Sequence, residues 1–189
     1  MELFDIIKNR RSIRAYSSLL IEKDVILNLI NAAGYAPSGK NLQPWRFVIV
    51  GNSKEKEQIA ELSKYVSWLK QAPHYILVFL DNHLSYDRTK DIQAIGACIQ
   101  NILLLAHAQN IGACWVGEII EQGEKIKRLI NVNEDYFELM ALITIGHMKN
   151  MEIQQPIMRR EVDDNILLWI ADEEFSENHS ISTTLGDSK

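Results

Sequence analysis

Residues 75–80 read Tyr-Ile-Leu-Val-Phe-Leu, six apolar side chains with no polar interruption. A strand open to solvent on one side alternates polar and apolar positions, so an unbroken run of strand length describes a strand covered on both faces. This run and the apolar stretch Ile102 to Ala106 both fall far short of the roughly 20 residues needed to cross a bilayer. The chain must therefore build a sheet with elements packed on each side of it, and no membrane span is expected.

The rest of the pattern supplies those elements. Leu3, Phe4, Ile6 and Ile7 place apolar side chains on one face of a short opening helix, which runs into Arg10, Arg11 and Arg14. Val25, Ile26, Leu29, Ile30 and Ala33 recur at helical spacing and predict a helix from about Glu22 to Tyr35, with Ser17 or Ser18 as its possible start. Gly34 and Pro37 stop it, and the stretch from Arg46 to Val50 reads as a strand. A helix near Lys54 to Leu62 precedes the apolar run. From Asp87 to Gln109, the stripe Ile92, Ile95, Gly96, Ile99, Ile102, Leu103 and Ala106 predicts one long buried helix, with small residues that permit close approach of another helix. Ala113 to Val116 reads as a short strand, Glu124 to Ile130 as a helix and Leu139 to Ile145 as a further strand. The class is α+β.

Length limits the organisation. A chain of 189 residues with 47% apolar content suits one domain with a substantial core. No Pro/Gly/Ser linker divides it, so residues 1–170 are read as one domain and residues 171–189 as a polar tail. A net charge of -5 argues against a nucleic-acid partner, whose phosphates call for a basic surplus. The N-terminus lacks the pattern of a secretion signal, which predicts a cytoplasmic protein. Cys98 and Cys114 each sit in apolar stretches and read as buried hydrophobes. The five histidines show no metal-ligand spacing, so no metal site is expected.

Two constellations carry chemistry. Arg10, Arg11, Ser12 and Arg14 concentrate three guanidinium groups and a hydroxyl within five residues. Guanidinium offers paired donors that match phosphate oxygens and stays charged at every working pH. Taken alone the run also reads as a solvated face with surface ion pairs, the commoner use of such runs. The second is Pro37, Ser38, Gly39, Lys40, Asn41, Leu42, Gln43, Pro44 and Trp45, which offers donors and acceptors together just before a strand. That mixture suits a ring whose edge alternates acceptors with a donor, and it also suits an ordinary turn leading into a strand.

Together the two motifs resemble the nitroreductase family, whose members carry Arg-Arg-Ser-x-Arg near the start and Pro-Ser-x-x-Asn-x-Gln-Pro-Trp about 25 residues later. The resemblance extends to Gly112 to Gly117, to Leu142 to Gly146 and to Arg159-Arg160, and covers roughly residues 1–170. It implies a central mixed sheet flanked by helices, an interlocked homodimer, and FMN bound between the subunits. In that reading Arg10, Arg11, Ser12 and Arg14 meet the phosphate, ribityl chain and pyrimidine end. Pro37, Ser38, Gly39 and Asn41 form the opposite wall, drawn from the other subunit, with Gln43 behind them. A main-chain N–H from Val116 and Gly117 reaches the flavin N5, and Arg159 and Arg160 join the phosphate.

The implied reaction passes hydride from NADH or NADPH through FMN to a small acceptor such as a nitroaromatic or quinone, by ping-pong exchange, with no catalytic side chain required. Related folds also dehalogenate or oxidise other substrates, and a flavin store or sensor would keep the same arginines. Glu118 follows the segment assigned to the flavin and could orient a substrate, but reads more readily as a carboxylate that caps the next turn or faces solvent. Tyr65 and Trp68 lie where relatives build a lid, although the stretch is short here and lacks the polar pair that longer members place against the ring. Trp169 is expected to anchor the dimer.

Overall fold

The computed structural model describes residues 2–51, 53–132, 135–149 and 158–168. The chain falls into two units, residues 1–152 and 153–189. In the first, α1 (Leu3–Asn9) and α2 (Lys23–Gly34) precede β1 (Trp45–Val50). Next come α3 (Lys54–Glu61), the single turn α4 (Val66–Leu69) and β2 (His74–Asp81). The long α5 (Arg88–Ala108), β3 (Ile111–Val116), α6 (Gly123–Leu129) and β4 (Phe137–His147) complete it. In the second unit the described residues hold one 3-10 turn, Asp163–Asn165, and almost all of them are exposed. Trp169 lies outside the described residues, as does the tail from residue 171.

The strand order is β1-β2-β4-β3, so the apolar run forms an interior strand. Ile76, Val78 and Leu80 point to one core, with Leu29 of α2 and Ile95, Ile99 and Ile102 of α5. Tyr75, Leu77 and Phe79 point to the other, with Ile59 of α3, Leu69 of α4 and Ile126 of α6. Period-2 alternation thus divides one continuous apolar run between two layers.

All three strand pairings are antiparallel. The mixed sheet implied by the resemblance is therefore corrected, among the described residues, to an antiparallel one. The strand, long helix, strand order from β2 through α5 to β3 does give two strands running the same way. However, β4 inserts between them and turns each contact antiparallel.

Local chemistry explains the boundaries. Ser53 and Asp87 cap α3 and α5, their side chains accepting from Lys56 N–H and Lys90 N–H at 3.3 and 3.1 Å. Helix α2 starts at Lys23 with no side-chain cap, so neither Ser17 nor Ser18 begins it. Ser17 instead donates its N–H to His147 C=O. On α5 the stripe is shifted from expectation: Asp91 is fully buried and Ile92 is exposed. Among the described residues, no helix is long and apolar enough to cross a membrane.

Both cysteines are free and buried, and burial pushes the Cys98 thiol up to about 12. Above the ordinary thiol value of about 8.5 the unfolded chain releases this proton while the folded chain keeps it. Stability is therefore unaffected by this group below that pH and falls as the pH rises above it. Urea melts of wild type and Cys98→Ala between pH 7 and 10.5 check this, since the alkaline decline should be shallower in the variant.

Candidate functional site

After α1 the chain leaves the helix and runs as an extended segment beside β3 and the end of β4. Ile13 N–H donates to Ala113 C=O at 3.0 Å, and Lys149 N–H donates to Ala15 C=O at 3.1 Å. Tyr16 pins the segment. Its ring is buried, and its hydroxyl reaches Ile13 C=O at 2.5 Å and Thr144 Oγ1 at 2.7 Å. Gly146 is required here by close approach, because a Cβ would stand 2.5 Å from Pro73 Cδ and 2.8 Å from Tyr16 Cδ1.

The motif side chains converge on β3 and on the end of α5. Burial raises the Cys114 thiol, opposed by the charge of Arg14, by a hydrogen bond with Ser12 and by the charge of Arg10. His107 is held below its ordinary value by burial and then by Arg10 and Arg11, which keeps the imidazole neutral at pH 7. Arg11 donates from Nη1 to Lys8 C=O at 2.8 Å and to Arg10 C=O at 3.0 Å. Among the described residues its buried Nε has no acceptor, and Nε2 of His107 has no partner. Among the described residues neither Arg11 nor Arg14 pairs with a carboxylate. A buried guanidinium N–H without an acceptor is costly, and an anionic oxygen supplies what it lacks. This corner therefore fits a phosphate-bearing cofactor.

The second motif forms a tight loop before β1. Gln43 N–H donates to Ser38 Oγ at 3.0 Å, and the Gln43 side chain donates to Asn41 C=O at 3.3 Å. Lys40, Asn41 and Gln43 all take left-handed backbone at φ 54°, 56° and 50°, conformations that persist only where the surroundings impose them. Tyr86 imposes part of this. Its ring seats on Gly39, where a Cβ would come within 2.3 Å of it, and Lys40 Nζ lies 4.8 Å from the ring centroid. Pro37 and Asn41 are exposed, leaving that side of the loop open.

The fold separates these two motifs within one chain. The loop leads into β1 at one edge of the sheet, and the arginine segment lies beside β3 at the other. Tyr86 lies just before the start of α5 and His107 near its end, so nearly the whole of this 21-residue helix, about 30 Å, lies between the corners. Val116 shares a core cluster with Ile13 and Tyr16 of the arginine segment, and with Gly117 it leads from β3 into the 3-10 turn Glu118–Gln122. Arg159 and Arg160 are exposed and lie in the second unit.

Glu118 is neither idle nor facing solvent. Its carboxylate accepts from Ser63 Oγ at 2.8 Å and from Lys64 N–H at 3.4 Å. Sequence reasoning also missed His107, Tyr86 and Asp91. Asp91 left a signal, because it stands four residues before Ile95 on the buried stripe, where a carboxylate needs partners. Only tertiary contact picks out the other two.

The fold and the arginine corner define an α+β protein suited to a phosphate-bearing cofactor. The sequence pattern of the Nitroreductase family matches residues 7–66 and 60–147, and the chain belongs to that family. It is 35% identical over 149 residues to a protein of Methanothermobacter thermautotrophicus provisionally named NADH dehydrogenase/NAD(P)H nitroreductase, covering 78% of each chain. A crystal structure of a provisionally named nitroreductase from Desulfovibrio desulfuricans in complex with FMN superposes with a TM-score of 0.84 at 32% identity, covering 91% of this chain and 99% of that one. Iodotyrosine deiodinase 1 of Mus musculus is 28% identical over 200 residues, covering 89% of this chain and 70% of that protein.

Proposed function

We propose that this chain is an FMN-dependent NAD(P)H oxidoreductase that works as a homodimer and reduces nitroaromatics, quinones or similar small acceptors. The observation that carries the reading is the arginine corner, where a buried Arg11 Nε–H has no acceptor among the described residues. Arg10, Arg11 and Ser12 would hold the FMN phosphate and ribityl chain, joined by Arg159 and Arg160. Arg14 would bring positive charge to the pyrimidine edge, and a main-chain N–H at Val116 or Gly117 would face N5. Bound FMN would supply the redox chemistry, hydride transfer from NADH or NADPH to the acceptor. No side chain has to move a proton, and the buried thiols, held protonated, are poor nucleophiles.

Two subunits are needed in this reading. The loop with Pro37, Ser38, Gly39 and Asn41, backed by Gln43, lies about 30 Å along α5 from its own arginine corner. A two-fold axis can bring the loop of one chain to the arginines of the other. Unpartnered apolar surface supports this: Leu3, Phe4 and Ile7 of α1, Leu27 of α2 and Ile92 of α5 are all exposed. The deiodinase relative suggests dehalogenation as another reaction on this fold. The stretch between α3 and β2 carries only the single turn α4, too little to enclose a zwitterionic amino acid.

The test is an anaerobic titration of the purified protein with NADH and then NADPH, followed by a nitroaromatic or quinone. Flavin bands should bleach with a nicotinamide and return with the acceptor, and initial-rate plots should give parallel lines. Bands that stay oxidised would transfer the weight to dehalogenation or flavin storage, and intersecting lines would remove the ping-pong scheme.

A further inference from the structure

Helix α4 cannot hold its own position. Four residues make about one turn, below the length at which a helix is stable by itself, and Tyr65 gives it no side-chain cap. Its end is anchored, because Leu69 is fully buried and Tyr75 Oη donates to Leu69 C=O at 2.8 Å. At its start, Val66 and Trp68 pack against the core, and one carboxylate ties the residues that lead into it. Glu118 accepts from Ser63 Oγ and Lys64 N–H, while Ser63 Oγ accepts from Tyr65 N–H at 3.1 Å.

Those bonds close a circuit around the end of β3. From Gly117 the chain reaches Glu118, which grips Ser63 and sets Tyr65, whose ring centroid lies 5.9 Å from that of Trp68. The Arg14 guanidinium lies 5.8 Å from the Trp68 ring centroid, and Ile13 returns the circuit to β3 through its bond to Ala113. We propose that Glu118 is a positioning residue that fixes the start of α4, and that Trp68 is thereby held as the aromatic face met by a planar acceptor beside Arg14. The proposal rests on the flavin reading above. An indole face next to a guanidinium suits an electron-poor ring, which can stack on one and place its polar substituents toward the other.

The experiment compares FMN-loaded wild type with Glu118→Ala, Glu118→Gln, Ser63→Ala and the double alanine variant. Two acceptors are used, a nitroaromatic and ferricyanide, and amide hydrogen exchange is followed over residues 63–69. Glu118→Ala and Ser63→Ala should each raise KM for the nitroaromatic about tenfold, the loss of one hydrogen bond to a charged group, with the double variant no worse than either. The ferricyanide rate should stay unchanged, since that acceptor has no ring to stack. Glu118→Gln should restore most of the KM, because an amide carbonyl still accepts from Ser63. A Gln variant as impaired as Ala would make the carboxylate an acid or base and overturn the proposal, as would an unchanged KM in both alanine variants. Exchange at 63–69 should quicken in Glu118→Ala, and this readout needs neither nicotinamide nor acceptor. A protein whose flavin fails to turn over while exchange quickens defeats the flavin reading alone; unchanged exchange with normal turnover defeats the positioning role of Glu118 alone.

Discussion

Arg14→Ala is expected to raise the dissociation constant for FMN by about ten- to a hundredfold, and Arg11→Ala to do the same. A charge-assisted hydrogen bond contributes about 1.5–3 kcal/mol, and each 1.4 kcal/mol is a factor of ten in affinity. Among the described residues neither guanidinium has a carboxylate partner, so removal leaves no buried anion behind and the fold should survive. Fluorescence titration of the apoprotein with FMN, alongside circular dichroism melts, separates the two effects. An affinity unchanged in both variants would refute the assignment of the phosphate and pyrimidine end to this corner. Because the bonds are ionic, the wild-type affinity should also weaken with added salt, and less steeply in either variant.

The second large effect is expected at Asp91, which no functional reading singles out. Its carboxylate is fully buried at the start of α5. Oδ2 accepts from Ser85 Oγ at 2.6 Å, from Tyr86 N–H at 3.2 Å and from Asp87 N–H at 3.3 Å, while Oδ1 has no partner among the described residues. Asp91→Ala strips three donors of their acceptor and should cost about 2–4 kcal/mol. In a chain of this size that lowers Tm by roughly 5–15 °C. Asp91→Asn keeps an acceptor oxygen for the same turn and should lose less. An alanine variant that melts with wild type would mean that desolvating the carboxylate costs as much as its three bonds return. The turn it holds carries Tyr86, whose ring seats on Gly39, so Asp91→Ala should also loosen the loop of Pro37 to Gln43. Quickened exchange across residues 37–43 would report it.

Much of the architecture was legible because it depends on local periodicity. The unbroken run from Tyr75 to Leu80 can only serve a strand covered on both faces. The stripe through Ile95, Ile99 and Ile102 can only serve a long packed helix, and both appear where expected. Their partners were less legible. A strand, helix, strand order suggests parallel neighbours, and nothing local to β2 or β3 shows that β4 will insert between them. The motif side chains were legible as types, since arginine clusters and Gly-Asn-Gln loops carry their donors wherever they fold.

Their company was not. His107 lies almost a hundred residues from the arginines whose charge adds to burial in favouring its neutral form, and Glu118 grips a serine 55 positions away. The amino-acid sequence by itself determined the elements, the two-sided sheet and the stock of guanidinium, hydroxyl and amide groups proposed to hold the cofactor. These follow from side-chain period and side-chain chemistry, which act over a few residues. Tertiary structure alone decided that the loop and the arginines lie at opposite ends of α5 and that Glu118 anchors α4. Those outcomes depend on which distant segments pack together, and packing is chosen by the whole chain at once.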